Sequence, residues 1–126
     1  MTDCCGSFGG RIVIEVGDKR YSARGDITLD PTNVEVSAEA NQDGSAYFTV
    51  KPRLYGAAFT ISDPCGLVWS AELAKCSVNV TITEEDNGRT HLFTGARFVG
   101  RPQINLSTGE VTGLSIASSA YQKIES

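Results

Sequence analysis

The sequence contains no long hydrophobic run. Its strict apolar stretches, such as Ile12-Val13-Ile14, are strand-sized, far short of the roughly 18 consecutive residues that a membrane helix needs. The chain is expected not to span a bilayer. Positive charge is also short: 11 Lys+Arg against 15 Asp+Glu leave a formal charge of −4 and a pI near 4.9. That is not the electrostatic footprint of a protein that grips nucleic acid. The start, Met1-Thr2-Asp3-Cys4-Cys5-Gly6, has neither a basic n-region nor an apolar h-region, so synthesis as a cytosolic protein is expected.

Catalytic chemistry has little to work with. There is no G-x-S-x-G, no Walker sequence and no zinc-ligand spacing, and Gly6-Ser7-Phe8-Gly9-Gly10 does not follow a strand as a phosphate loop should. The single histidine, His91, lies beside Leu92 and Phe93 with no acid at a metal or triad spacing, so a structural role is expected for it. Glu84-Glu85-Asp86 reads as a solvated turn, with a calcium site as the alternative. No enzyme, metal or cofactor is expected.

What is present is β-forming material. The 126 residues are 40% hydrophobic, enough for one domain with a real core. Ten Val, eight Ile, eleven Thr and thirteen Gly favour pleated sheets and tight turns over helices. Residues 1–10 are Gly-rich and aperiodic and read as a flexible N-terminal arm; residues 11–126 read as a single β domain. Ile12, Ile14 and Val16 alternate with Arg11, Val13 and Glu15 up to Gly17-Asp18, and Arg20-Tyr21-Ser22-Ala23 runs back as a hairpin. A separate strand around Ile27 and Leu29 ends at Asp30-Pro31. Residues 34–50 form the clearest long hairpin, turning at Asn41-Gln42-Asp43-Gly44, and a short strand covers residues 57–61. Asp63-Pro64 reads as the N-cap and first position of an amphipathic helix of about ten residues carrying Leu67, Val68, Trp69 and Leu73. Strict alternation then resumes, with Val78, Val80 and Ile82 against Ser77, Asn79, Thr81 and Thr83. Strands over residues 89–99, 103–106 and 110–117 complete the chain. The predicted fold is mainly β: an antiparallel β-sandwich or open barrel with one short helix, a long projecting hairpin and an extended N-terminal arm.

Four cysteines, Cys4, Cys5, Cys65 and Cys76, match neither C-x-x-C redox chemistry nor a zinc set. A helix over most of residues 65–76 would hold Cys65 and Cys76 about 15 Å apart, beyond the roughly 7 Å a disulfide allows. Two readings stand. The arm thiols reach Cys65, Cys76 or a neighbouring copy, or all four thiols are free and Cys76 is a small buried hydrophobe.

The order of these elements resembles the tail tube protein family of contractile-tailed, Mu-like bacteriophages. The resemblance rests on a Gly-rich arm, the first hairpin Val16-Gly17-Asp18-Lys19-Arg20-Tyr21-Ser22-Ala23-Arg24-Gly25, the segment Asn41-Gln42-Asp43-Gly44-Ser45-Ala46-Tyr47, the step Lys51-Pro52, and a short helix followed by the alternating strand and Asn87-Gly88 turn. The sequence departs from the family pattern at Ile116-Ala117-Ser118-Ser119 and in its four cysteines.

The resemblance implies a major tail tube subunit in the virion tail, made in the host cytoplasm. Hexameric rings would stack into a hollow conduit for DNA ejection inside a contractile sheath, with the tail sheath, tape-measure and baseplate proteins as partners. DNA would pass without specific binding, since an acidic or small-polar lining offers phosphate no counter-charge. On this reading Glu35, Ser37 and Glu39, and the row Asn79, Thr81 and Thr83 after Ser77, are candidates for lumen or subunit contact. The long hairpin with Asp43 at its tip would reach the adjacent ring, where Lys51, Arg53 and Arg97 would pair with acids. The two-thiol arm would suit an inter-subunit cross-link. A different class, a carbohydrate- or receptor-binding β-sandwich on a fibre or cell surface, would use Trp69, Tyr47 and Tyr55 as a stacking platform, although Trp69 also falls on the helix pattern as a core residue.

Overall fold

A computed structural model describes Gly6 and residues 8–125 of the chain. Ten strands and one helix follow in the order β1 (Ile12–Val16), β2 (Lys19–Asp30), β3 (Val34–Ala40), β4 (Ala46–Pro52), β5 (Tyr55–Ser62), α1 (Trp69–Ala74), β6 (Val78–Glu84), β7 (Arg89–Val99), β8 (Gln103–Asn105), β9 (Glu110–Ser118) and β10 (Ala120–Glu125). Eight strands form one antiparallel sheet ordered β10-β7-β6-β1-β2-β5-β9-β8. It closes on itself because Arg97, Phe98 and Val99 of β7 also pair with Ala117, Ile116 and Ser115 of β9. Six strands thus make a barrel, with β8 and β10 as extra strands at its margins.

Alternation explains the barrel's inside. Ile14, Ile82, Phe93, Ile61, Val111 and Ile116 are among the side chains removed from water at its centre, while the residues between them on each strand point away. Closure demands close backbone approach where the chain leaves β7 and passes β9. A Cβ on Gly113 would lie 2.5 Å from the Arg101 carbonyl oxygen, and one on Gly100 would lie 2.8 Å from that of Gly113; both residues have positive φ, 76° and 91°. Only glycine fits there.

Three expectations need correction. The segment 20–23 and the one around Ile27 and Leu29 are a single twelve-residue strand, β2, whose register shifts between Arg24 and Thr28. Gly25, at φ 68°, lets the strand bend there instead of ending. The helix is six residues long and not about ten. Gly66 at φ 75° interrupts it, and the Asp63 carboxylate, instead of capping, accepts a hydrogen bond from the Trp69 indole at 3.1 Å. Finally, β10 was not anticipated: Ala120–Glu125 pairs along the first half of β7, where β9 has already turned away.

The two ends of the barrel are finished differently. At one end α1 lays Trp69 between Tyr21 and Phe98, with ring centroids 6.4 and 6.2 Å away. The same helix buries Glu72 among Lys75, Lys19 and the Tyr21 hydroxyl at 2.9, 3.3 and 3.2 Å. Burial pushes the Glu72 carboxyl up, but the two ammonium groups outweigh it and hold it below the usual carboxylate range. Burial, reinforced by the Glu72 charge, raises the Tyr21 phenol, which keeps its proton and donates it.

At the other end Glu84 receives the His91 ring nitrogen Nε2 at 2.7 Å and Arg89 at 3.1 Å, while Tyr121 Oη lies 2.8 Å from the other His91 nitrogen. Glu84, read as part of a solvated turn, is therefore the hub of a half-buried network that ends β6. The structural role expected for His91 is the one it has here. Its acid partner was invisible in sequence because it comes from the neighbouring strand.

Candidate assembly interface

Strands β3 and β4 stand apart as their own two-stranded sheet. Their register places Val34, Val36, Ala38 and Ala40 opposite Pro52, Val50, Phe48 and Ala46 on one face, and Glu35, Ser37 and Glu39 opposite Lys51, Thr49 and Tyr47 on the other. All fourteen residues are exposed. The apolar face is the anomaly, since Val36, Phe48 and Val50 are each more than 60% exposed, and an isolated two-stranded ribbon is marginal in water. The tip is well tied: the Asn41 N–H donates to the Ser45 carbonyl at 2.7 Å, and the Asp43 carboxylate accepts from the Ser45 hydroxyl and N–H at 2.6 and 3.0 Å. Those bonds, the hydroxyl's first, hold the Asp43 carboxyl below its usual range. The hairpin is thus locally ordered while its apolar side has no cover among the described residues.

Asn79, Thr81 and Thr83 lie on a different surface. They sit on the outward face of β6, opposite its buried Val80 and Ile82. Cross-strand register lines Thr83 up with Ser22, Val13, Thr90 and Ile124, and Thr81 with Arg20, Glu15, Leu92 and Gln122. This barrel wall mixes the small polar Thr83, Thr81, Ser22 and Thr90 with the apolar Val13, Leu92 and Ile124, and sets the charges of Arg20 and Glu15 side by side. Asn79 is partly committed, its carbonyl accepting from the Gly17 N–H at 2.8 Å and its side chain from the Gly95 N–H at 3.3 Å. The barrel row and the acidic face of the hairpin belong to separate sheets.

Two of the predicted cations already have partners within the chain. Arg53 meets Glu35 at 3.5 Å across the base of the hairpin, and Arg97 donates to the Leu73 carbonyl at 3.4 Å. Lys51 faces Glu35 in the ladder. Cys65 and Cys76 are free and exposed, so Cys76 is not the buried hydrophobe that the free-thiol reading made it; it falls in the short link after α1, outside the core. Cys4 and Cys5 lie outside the described residues.

The aromatic platform does not exist. Trp69 packs on Tyr21 and Phe98, Tyr55 pairs with Tyr121 at 5.5 Å, and Tyr47 is out on the hairpin. Among the described residues there is no group of three or more His, Cys, Asp or Glu side chains that could hold a metal ion, and no helix long and apolar enough to cross a membrane.

The chain is thus a closed antiparallel β-barrel that carries an ordered, amphipathic hairpin. The phage tail tube protein family model matches residues 6–122. The chain belongs to the phage tail tube protein family. No curated protein matches it. Among solved structures, it is similar to the PVC sheath/tube terminator of an extracellular contractile injection system, at TM-score 0.60 and 12% identity over 90% of this chain and 93% of that one. It is likewise similar to Hcp1 from Flavobacterium johnsoniae, at 0.60 and 11% over 93% and 97%. A third likeness is to the tube-terminating cap of the anti-feeding prophage, at 0.57 and 10% over 99% and 100%. At these identities the likeness is one of fold.

Proposed function

We propose that this tail tube protein is the major tube subunit, assembling as hexameric rings that stack into a hollow conduit for DNA inside a contractile sheath. The observation that carries the reading is the uncovered apolar face of β3 and β4. A hairpin ordered by its own turn yet exposing Val36, Phe48 and Val50 gains its stabilisation when a neighbouring copy covers it. The sheet margins support the same reading, since β8 and β10 end the strand order and present backbone groups that an adjacent subunit would pair.

The barrel row of Thr81 and Thr83 is the surface we assign to the lumen, because its threonines carry no charge and its cation, Arg20, stands beside Glu15, which leaves a passing phosphate chain little to bind. Six copies of −4 carry −24 per ring, which repels DNA from the wall as a whole. The hairpin, with Asp43 at its tip, is assigned to the ring-to-ring contact. The tail sheath, tape-measure and baseplate proteins are the proposed partners, and the virion tail the proposed location. Residues 1–10 are proposed as an arm that engages a neighbour, and the exposed Cys65 and Cys76 are the thiols its Cys4 and Cys5 would meet.

Electron microscopy of the purified protein tests the assembly: rings or tubes are expected, and a population of discrete monomers at high concentration refutes it. A non-reducing gel of assembled particles tests the cross-link separately, with a ladder that collapses on reduction expected and monomer bands alone ending that part.

A further inference from the structure

The turn between β6 and β7 does more than connect two strands. The Asp86 carboxylate accepts the Arg11 backbone N–H at 2.8 Å and the Arg11 guanidinium at 2.6 and 3.1 Å. The Glu85 N–H donates back to the Arg11 carbonyl at 2.9 Å. One residue earlier, Gly10 lies so close that a Cβ on it would stand 2.5 Å from Asp86 Oδ2. Next, the Asn87 amide donates to the Gly9 carbonyl at 2.8 Å and, with the same nitrogen, to Glu84 at 3.3 Å. Last, the Arg89 guanidinium sits 5.2 Å from the centre of the Phe8 ring. Phe8 and Gly9 of the arm and Arg11 at the start of the domain are thus bound by the same turn and the strand that follows it, with Gly10 packed closely against Asp86.

We propose that Asp86 is a positioning residue that aims the N-terminal arm. A Gly-rich segment with Gly9 and Gly10 both at positive φ, 79° and 83°, has no preferred direction of its own. The turn supplies one. Asp86 fixes where β1 begins, Asn87 fixes the next carbonyl, and the Asn87 bond to Glu84 ties the turn to the network at the barrel's end. The arm therefore leaves every copy from one point at one angle, so a neighbour's contact surface receives it without a search. This consequence rests on the assembly reading; the aiming itself does not.

The test uses the full chain and four versions of it: wild type, Asp86→Ala, Asp86→Asn and Gly10→Ala, each compared in the same assembly state. Hydrogen exchange is read at Arg11, whose N–H the Asp86 carboxylate accepts, and, as a control, along β6 and β7. Asn keeps an acceptor oxygen for the Arg11 N–H, whereas Ala removes it and the alanine at Gly10 pushes the turn away. Asp86→Ala and Gly10→Ala are expected to speed exchange at Arg11 about tenfold or more, with Asp86→Asn within about threefold of wild type and the β6 and β7 amides unchanged. Wild-type protection in Asp86→Ala overturns the proposal. So does equal loss along β6 and β7, which would make Asp86 a holder of the hairpin and not of the arm. Tube length measured on the same samples then reads the consequence: shorter tubes in Asp86→Ala are expected, and unchanged tubes with a freed arm would show that aiming plays no part in assembly.

Discussion

Replacing Phe48 and Val50 together by serine probes the uncovered face of the hairpin directly. Complete burial of a valine or phenylalanine side chain contributes about 1.5–3 kcal/mol. Phe48 and Val50 are 67% and 64% exposed, so about two thirds of that, roughly 1–2 kcal/mol each, is still available to a contact with another copy. The double variant therefore forfeits about 2–4 kcal/mol per hairpin, a rise of about 30- to 700-fold in the concentration needed for stacking at 1.4 kcal/mol per tenfold. The isolated subunit should hardly notice, because substitutions at exposed positions usually change folding stability by within about 0.5 kcal/mol. Sedimentation and electron microscopy read the assembly, and urea denaturation reads the fold. Tubes appearing at the wild-type concentration would refute the assignment of this face to a contact between copies. A loss of folding stability well above 1 kcal/mol would refute it differently, by showing that the face already packs within the subunit.

Acid should weaken the fold through two carboxylates. Burial tends to raise Glu84 and Glu72, but the hydrogen bonds from His91 and Asn87 with the Arg89 charge at one, and Lys75 and Lys19 at the other, hold both below the ordinary 4.5. A lowered folded-state value means the stabilisation is complete above 4.5 and is lost as the pH falls through the folded values. Urea melts between neutral and strongly acidic pH should show that loss, and Glu84→Gln should flatten it; a variant with the full wild-type slope would remove Glu84 from the account. Gly113→Ala should cost about 1–3 kcal/mol, since the residue is left-handed and its Cβ would strike the Arg101 carbonyl, and denaturation within error of wild type would contradict the barrel corner described. Converting Thr81 and Thr83 to lysine should leave the fold intact yet make assembled tubes retain DNA at low salt and release it at high salt; no retention would move the lumen to another face.

The strands and most turns were legible in the sequence because each is a local pattern. Alternation at Val78, Val80 and Ile82 needs only a pleat, and Asp43-Gly44 needs only a tight turn. The amphipathic hairpin was equally readable, down to the acidic alternates Glu35 and Glu39, since register follows from the turn. Local signals misled where tertiary partners intervened. Asp63 looked like a helix cap but bonds the Trp69 indole, residues 20–23 and the stretch around Ile27 looked like two strands but are one that bends at Gly25, and β10 has too weak an alternation to declare itself without β7 beside it.

Composition and pattern by themselves determined that this chain is mainly β and carries a short helix after residue 63, because side-chain type and spacing decide which backbone shapes are cheap. Tertiary structure alone decided that the sheet closes, that Glu84 meets His91 and Arg89, that Asp86 engages Gly10 and Arg11, and that the apolar face of the hairpin remains uncovered. Each of those depends on bringing together residues distant in the chain or on finding that none arrives, and spacing along a sequence carries no measure of either.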